Sequence, residues 1–275
     1  MNKNTNTQEI REKIQQADAI LIGASNGLSI TEGLHLFAPN QAFFEVFGDF
    51  HRKYGIQNIL QGCFMQYPTE KEKWTFWSRL IHHYSGNYHG SPVMDTLKQV
   101  VGDKPYFVIT SNGEMHFQLS GFDPACIYEI EGSWEHMQCS RRCHDGLYET
   151  KECIKKMAER MEKNEDITDL IPKCPVCGGP MSIHMPTGNF IPNEDQYDRL
   201  QAFFRAYHGK KLVILELGIG MRNQLIKAPL MQLTANEPNS TYITLNKGEL
   251  YIPDAIKDRS YGIDGDLAVT LKSLI

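Results

Sequence analysis

Residues 18–33 read DAILIGASNGLSITEG. Asp18 to Gly23 is a compact apolar run that ends in glycine, the pattern of a strand buried on both faces of a parallel sheet. Small residues follow at once, from Gly23-Ala24-Ser25-Asn26-Gly27 through Ser29 to Gly33, and run into helical sequence. A strand, a small-residue loop and a helix in that order can present backbone N–H groups to a pyrophosphate. The loop is not a G-x-G-x-x-G, and a glycine-rich turn without any phosphate is an equal reading of these residues alone.

The same grammar recurs along the chain. Pro105–Thr110 (PYFVIT) ends in Ser111-Asn112-Gly113-Glu114, and Ile127–Ile130 ends in Glu131-Gly132-Ser133. Lys211–Glu216 (KLVILE) leads to Gly218-Ile219-Gly220, Thr241–Leu245 leads to Asn246, and Tyr251–Pro253 reads as a further short strand. Helices are expected at 8–17, 194–208 and 265–274, the last opening at Gly265-Asp266. The pattern is that of an α/β protein with an open, mainly parallel sheet and helices on both faces. Such sheets bind ligands at the carboxyl edge, where these polar and small residues would converge. Two stretches interrupt it: the helical, aromatic-rich segment from Leu34 to Val101, and a cysteine-bearing segment at 134–184 with a charged helical middle near 151–164. Both read as insertions that form a smaller domain.

The second insertion carries Cys139-x3-Cys143 and Cys174-Pro-Val-Cys177-Gly-Gly. Two close pairs supply the four thiolates of a tetrahedral, closed and therefore structural zinc site. Gly178 and Gly179 let the second turn fold back with its N–H groups towards sulfur. Four free thiols, or a redox pair at Cys174 and Cys177, are the competing readings, and His144 is an alternative fourth ligand.

The chain has 275 residues, 41% hydrophobic and 10% aromatic, with a net charge of −5 and both signs interspersed. No basic footprint calls for nucleic acid, and no apolar run is long enough for a signal core or a bilayer span. Seven cysteines, three of them (Cys63, Cys126, Cys153) without a close partner, suit a reducing compartment, and a cytoplasmic location is expected. No G-K-[ST] follows a glycine loop, which disfavours nucleoside triphosphate hydrolysis. Ser25 and Ser29 lie in no G-x-S-x-G elbow, so phosphate hydrogen bonding or turn chemistry suits them better than nucleophilic attack. His82-His83 reads as surface or packing, and Trp74, Phe76 and Trp77 as small-domain core.

Taken in order, these features resemble the sirtuin (Sir2) family over nearly the whole chain. Asn26–Gly33 is similar to the family's Ala-Gly-Ile-Ser-x-x-x-Gly loop, and Thr110–Glu114 to its Thr-Gln-Asn-Ile-Asp. Gly121 matches the glycine that closes the following helix. Glu129-Ile130-Glu131-Gly132-Ser133 falls at Glu-Leu-His-Gly-Ser, Gly218-Ile219-Gly220 at Gly-Thr-Ser, Leu245-Asn246 at Ile-Asn, and Gly265-Asp266 at the terminal Gly-Asp. The resemblance implies a Rossmann-like NAD-binding domain of residues 1–33, 103–132 and 185–275. A small zinc-ribbon and helical domain of 34–102 and 133–184 would complete the fold.

The resemblance also implies NAD as co-substrate, structural zinc on Cys139, Cys143, Cys174 and Cys177, and a protein substrate. Gly23, Ala24, Ser25, Gly27, Ser29, Gly33, Phe37, Ser111, Gly218, Gly220, Asn246, Asp266 and Leu267 would line the cofactor. Asn112, Glu114 and Glu131 would carry catalysis. The departures matter as much. Glu131 stands where the family has its catalytic histidine, Ala38 replaces the arginine that follows the Phe37 position, and residues 184–191 lack the Phe-Gly-Glu substrate segment. These departures resemble the microbial class M sirtuins, which transfer ADP-ribose to proteins. NAD-dependent lysine deacylation and a catalytically weak NAD-binding sensor are the alternatives.

Overall fold

The computed structural model describes residues 7–275. The first six residues, part of the 1–33 segment assigned to the NAD-binding domain, lie outside the described residues. Among the described residues nine strands form: β1 Ala19–Ala24, β2 Tyr106–Thr110, β3 Ile127–Glu129, β4 Ser133–Cys139, β5 Leu147–Glu149, β6 Met181–His184, β7 Leu212–Leu217, β8 Thr241–Asn246 and β9 Ser260–Asp264. Six of them make one sheet in the order β3-β2-β1-β7-β8-β9, with every pairing parallel. The other three form an antiparallel sheet in the order β5-β4-β6.

Alternation along the strands builds two cores. Ile20, Ile22, Leu215 and Ile243 face helices Thr7–Gln16, Pro92–Val101 and Leu267–Lys272. Leu21, Ile109, Ile214 and Tyr242 face helices Glu194–Tyr207 and Gln224–Asn236. Every residue of β1 and β7 is buried, which explains their unbroken apolar sequence. Each such aliphatic side chain contributes about 1.5–3 kcal/mol on burial. One polar group sits among them: Glu216 of β7, paired with Lys227 at 2.5 Å and accepting hydrogen bonds from Thr244 Oγ1 (2.8 Å) and the Tyr242 hydroxyl. Fully buried, this pair depends on each partner staying in place.

A third core belongs to the insertions. Phe43, Phe47, Trp74, Phe76 and Trp77 pack with Trp134, Met137, Cys139 and Met181 of the antiparallel sheet and with Met157 of helix Lys151–Glu162. Helix Glu70–Ile81 starts at a capping box in which Thr69 and Glu72 satisfy each other's backbone donors. Two sequence expectations are corrected here. Helix Pro92–Val101, assigned to the small domain, buries Val93, Met94, Leu97 and Val101 against the large sheet instead. Residues 251–253 form no strand, because Pro253 leads directly into a short 3-10 helix at Asp254–Arg259; the sixth strand is β9.

Strand order reverses between β1 and β7, so the loops that leave these two strands diverge and open a crevice. They meet at its base. Gly27 N–H donates to Gly218 O at 3.0 Å, and a Cβ on Gly27 would lie 2.5 Å from both Gly218 Cα and Gly218 O. Gly218 has φ +62°, and its own Cβ would fall 2.6 Å from Gly27 Cα. Two backbones are in contact with no room for a side chain on either. Gly27→Val is therefore expected to lower Tm by several degrees, from an overpacking cost of roughly 2–3 kcal/mol, and to abolish nucleotide binding. Thermal unfolding and calorimetric titration with NAD check both outcomes.

Candidate active site and metal centre

A cleft of about 850 Å³ lies along the carboxyl edge of the large sheet, closed on its far side by the insertions. Its floor is polar. Ser111 Oγ and Ser25 Oγ are 3.0 Å apart, and Asn223 Nδ2 donates to Ser25 Oγ (2.9 Å) and Ser111 Oγ (3.0 Å). The three side chains come from the exits of β1 and β2 and from the cap position of helix Gln224–Asn236. The opposite wall is apolar, with Leu36, Phe37, Leu60 and Phe64 from the helical insertion, Trp134 from β4 and Met185 from just beyond β6.

Of the residues singled out from sequence, Ser25, Gly27, Phe37, Ser111, Gly218, Gly220, Asn246 and Glu131 line this cleft. Asn112, Glu114 and Ser29 are buried just behind the lining. Asn112 Nδ2 donates to Ser25 O at 3.2 Å, while its Oδ1 is buried with no hydrogen-bond partner, an acceptor left for a hydroxyl or a water. Ser29 Oγ donates to Glu114 Oε1 at 2.6 Å. Gly23 and Ala24 belong to β1, and Gly33 closes the loop with φ +96°. Asp266 caps the final helix, accepting from the N–H groups of Ala268 and Val269, and Leu267 is in the core below it; neither reaches the cleft wall.

The loop after β1 differs from the phosphate cradle that the sequence suggested. Ser25 N–H donates to Leu217 O (3.3 Å) and Gly27 N–H to Gly218 O, so two of its amides are committed to the neighbouring strand exit. The polar groups presented to the cleft are instead the linked Ser25, Ser111 and Asn223 side chains; the Asn223 amide and the Ser111 hydroxyl donate within that cluster, which leaves the Ser25 hydroxyl as its outward donor. Asn223, Trp134, Arg222 and Lys247 line the cleft and were not picked out from sequence. An Asn five residues beyond Gly218, ahead of an apolar helix, is the one signal that pointed to the first. Glu131 is half-buried, and burial pushes its carboxyl above the ordinary carboxylate range. Glu114 is pushed up by burial too, against the pull of His116 and the Ser29 hydrogen bond.

No family model matches the chain. A protein ADP-ribosyltransferase of Staphylococcus aureus is 31% identical over 282 aligned residues, which cover 99% of this chain and 88% of that protein. A probable bifunctional ADP-ribose hydrolase/ADP-ribosyltransferase of Fusarium oxysporum f. sp. cubense is 26% identical over 77% of this chain, which spans 37% of that longer protein. Among solved structures, one described as the structural basis of sirtuin substrate affinity superposes with a TM-score of 0.65 at 18% identity, covering 100% of this chain and 98% of that one. A second, concerned with the mechanism and regulation of Sir2 enzymes, gives 0.61 at 16% identity, covering 98% and 96%. The chain belongs to the family of that Staphylococcus aureus protein ADP-ribosyltransferase and has the sirtuin fold.

The second centre of this sirtuin-fold protein is its cysteine cluster. Cys139 ends β4, Cys143 lies in the turn after it, and Cys174 and Cys177 belong to the knuckle that precedes β6. The four sulfurs lie within 4.8 Å of one another, with Cys139 to Cys177 at 3.7 Å and Cys143 to Cys174 at 3.6 Å. A tetrahedron of zinc–sulfur bonds has edges of about 3.8 Å, so the donor set fits that ion. The Cys143 and Arg141 N–H groups point at Cys139 Sγ and draw that thiol down to about 6. Burial opposes ionisation of Cys174, but the N–H groups of Cys177 and Val176 lower it on balance. His144 stands beside the set, its Nδ1 3.1 Å from Cys143 Sγ and its Nε2 2.7 Å from the Tyr148 hydroxyl.

We expect one zinc per chain, released by strong chelators together with a fall in Tm. Cys174→Ser should destabilise the insertions and lower any activity only indirectly. Metal analysis by plasma emission, paired with thermal unfolding, checks this; a folded, zinc-free protein of unchanged Tm would contradict it.

Proposed function

We propose that this sirtuin-fold protein cleaves nicotinamide from NAD and transfers the ADP-ribose to a protein acceptor. The observation that carries the reading is Glu131. It is half-buried in the cleft wall, where the sirtuin family has a histidine, and it stands in a chain related over nearly its full length to a protein ADP-ribosyltransferase.

Bound NAD supplies a ribose whose C1′–nicotinamide bond breaks with oxocarbenium character. The polar floor of Ser25, Ser111 and Asn223 suits the phosphates, and the Asn246 edge, with Arg222 and Lys247, suits the adenosine end. Asn112 offers its unpartnered Oδ1 to the reacting ribose or a water. Glu114, held by Ser29, is the orienting group for the carboxamide. Glu131 stabilises positive charge at the reacting carbon and accepts the proton that the acceptor loses. Because burial raises its carboxyl towards neutrality, it works as a base better than a solvated glutamate would. Nicotinamide and that proton leave as the new glycosidic bond forms.

A net charge of −5 argues against a nucleic-acid partner, and no helix among the described residues is long and apolar enough to cross a membrane. All seven cysteines are unpaired by disulfides, which supports a reducing, cytoplasmic setting.

Glu131→Gln should keep the fold and NAD affinity but cut transfer by on the order of a hundredfold. Mass spectrometry of proteins incubated with isotope-labelled NAD reads the product directly. Rapid deacylation of acyl-lysine peptides with no ADP-ribose transfer would establish the deacylase alternative. Glu131→His restores the residue type of the wider family, and a gain of deacylation there would show that this position selects the reaction.

A further inference from the structure

We propose that His116 is a positioning residue for nicotinamide cleavage, a buried imidazolium that acts through Glu114 from behind the cleft floor. The proposal rests on the transferase reading above. Its starting point is an arrangement that sequence reasoning did not single out.

His116 opens the short helix that follows β2, two residues after Glu114. Both ring nitrogens face oxygens that accept: Nδ1 lies 2.8 Å from Glu32 Oε2, and Nε2 lies 2.9 Å from Tyr84 O. A neutral imidazole donates from one nitrogen only and would set a lone pair against a carboxylate or a carbonyl. The ring satisfies both contacts only when it carries two protons. Tyr88 stacks on it with ring centres 3.9 Å apart and an interplanar angle of 11°, an arrangement that favours a cation.

The neighbours complete the same charge pattern. Glu32 caps the end of the short helix Asn26–Thr31, and its side chain is almost fully buried. It receives the Tyr88 hydroxyl at 2.7 Å and the Ser91 hydroxyl in addition to His116. Tyr88 is in turn joined to Ser120 at 3.0 Å. Glu114 takes the Ser29 hydroxyl, and its own carbonyl takes Ser85 Oγ at 2.9 Å. Among the described residues no lysine or arginine forms an ion pair with either glutamate, so His116 is the counter-charge that two buried carboxylates share. Burial opposes the ring's charge, but Glu32 and Glu114 outweigh it and raise the ring above its ordinary value.

The consequence for the reaction follows from sign. A cation near Glu114 opposes the effect of burial and favours the anionic carboxylate, the form able to accept an N–H from the nicotinamide carboxamide. Without the cation, burial and the Glu32 charge act on Glu114 against the Ser29 hydrogen bond and a backbone N–H, and the group takes up a proton nearer neutral pH. The network also joins the short helix Asn26–Thr31, the β2 exit and the helical insertion, so the charge is held where the nicotinamide end is oriented for cleavage.

His116→Gln is the test, read as nicotinamide release from NAD across the acid and neutral pH range. The expected result is a kcat about tenfold lower near neutrality and an acid limb displaced upwards by about one pH unit. The Kd for NAD by calorimetry should stay nearly unchanged. A lower rate with an unmoved acid limb would make His116 a structural neighbour only and overturn the proposal, as would an unaltered rate. Should the variant not fold, nitrogen-15 NMR of the unaltered protein decides: the ring doubly protonated at neutral pH supports the proposal, and a single neutral tautomer overturns it. If the unaltered protein releases no nicotinamide at all, the transferase reading fails, while the NMR result still reports on the ring.

Discussion

The contact of Gly27 with Gly218 sets the position of everything at the sheet edge. β1 and β7 lie side by side at the centre of the sheet, and their exit loops turn to opposite sides only after their backbones have touched. From that point Ser25, Ser111 and Asn223 are carried into mutual hydrogen-bond distance, and the Asn112 amide reaches the Ser25 carbonyl. Glu131 arrives from the other side through a second close approach. Gly132 turns with φ +81°, and a Cβ there would be 2.4 Å from His184 O. Backbone packing, not side-chain length, therefore determines where the functional groups sit. This is why short polar residues dominate the cleft floor.

The large sheet was legible in the sequence because parallel strands covered on both faces need unbroken apolar runs. DAILIG, PYFVIT and KLVILE stand out for that reason. The antiparallel β4–β6 sheet was not resolved into strands. Ser133–Cys139 alternates poorly, and its register shifts between Ser133 and Met137. β9 escaped notice because Ser-Tyr-Gly-Ile-Asp is a half-covered edge strand with an internal glycine, so neither composition nor period marks it. Helix Pro92–Val101 falls within the stretch 34–101 that reads only as mostly helical, and it packs on the large sheet, since periodicity reports a buried face and not what covers it.

The site was legible to a similar, partial degree. Residues that follow a strand directly, such as Ser25, Ser111, Glu131 and Asn246, could be aligned with the carboxyl edge by counting from the strand. The groups behind them could not. His116, Glu32, Tyr88 and Ser91 meet from three separate segments, and each alone is an ordinary polar residue. The four cysteines were the easiest to read, because two short turns bring paired sulfurs together almost regardless of the rest of the fold.

The long-range pairing of β1 also governs how the molecule comes into being. Asp18, just ahead of β1, is bonded to Lys211, just ahead of β7, across 193 residues of chain. The four cysteines all fall between residues 139 and 177, and contacts that close shorter stretches of chain form earlier and faster. β1, in contrast, waits for one of its two flanking strands until most of the polypeptide has left the ribosome. Until then, one edge of the most apolar strand and the mouth of the future nucleotide loop are bare. We expect the newly made chain to pass through a state in which the metal module is ordered and the cofactor floor is not. Nucleotide can select only the finished form, so the ligand acts as a late lock on a fold whose two halves mature on different clocks.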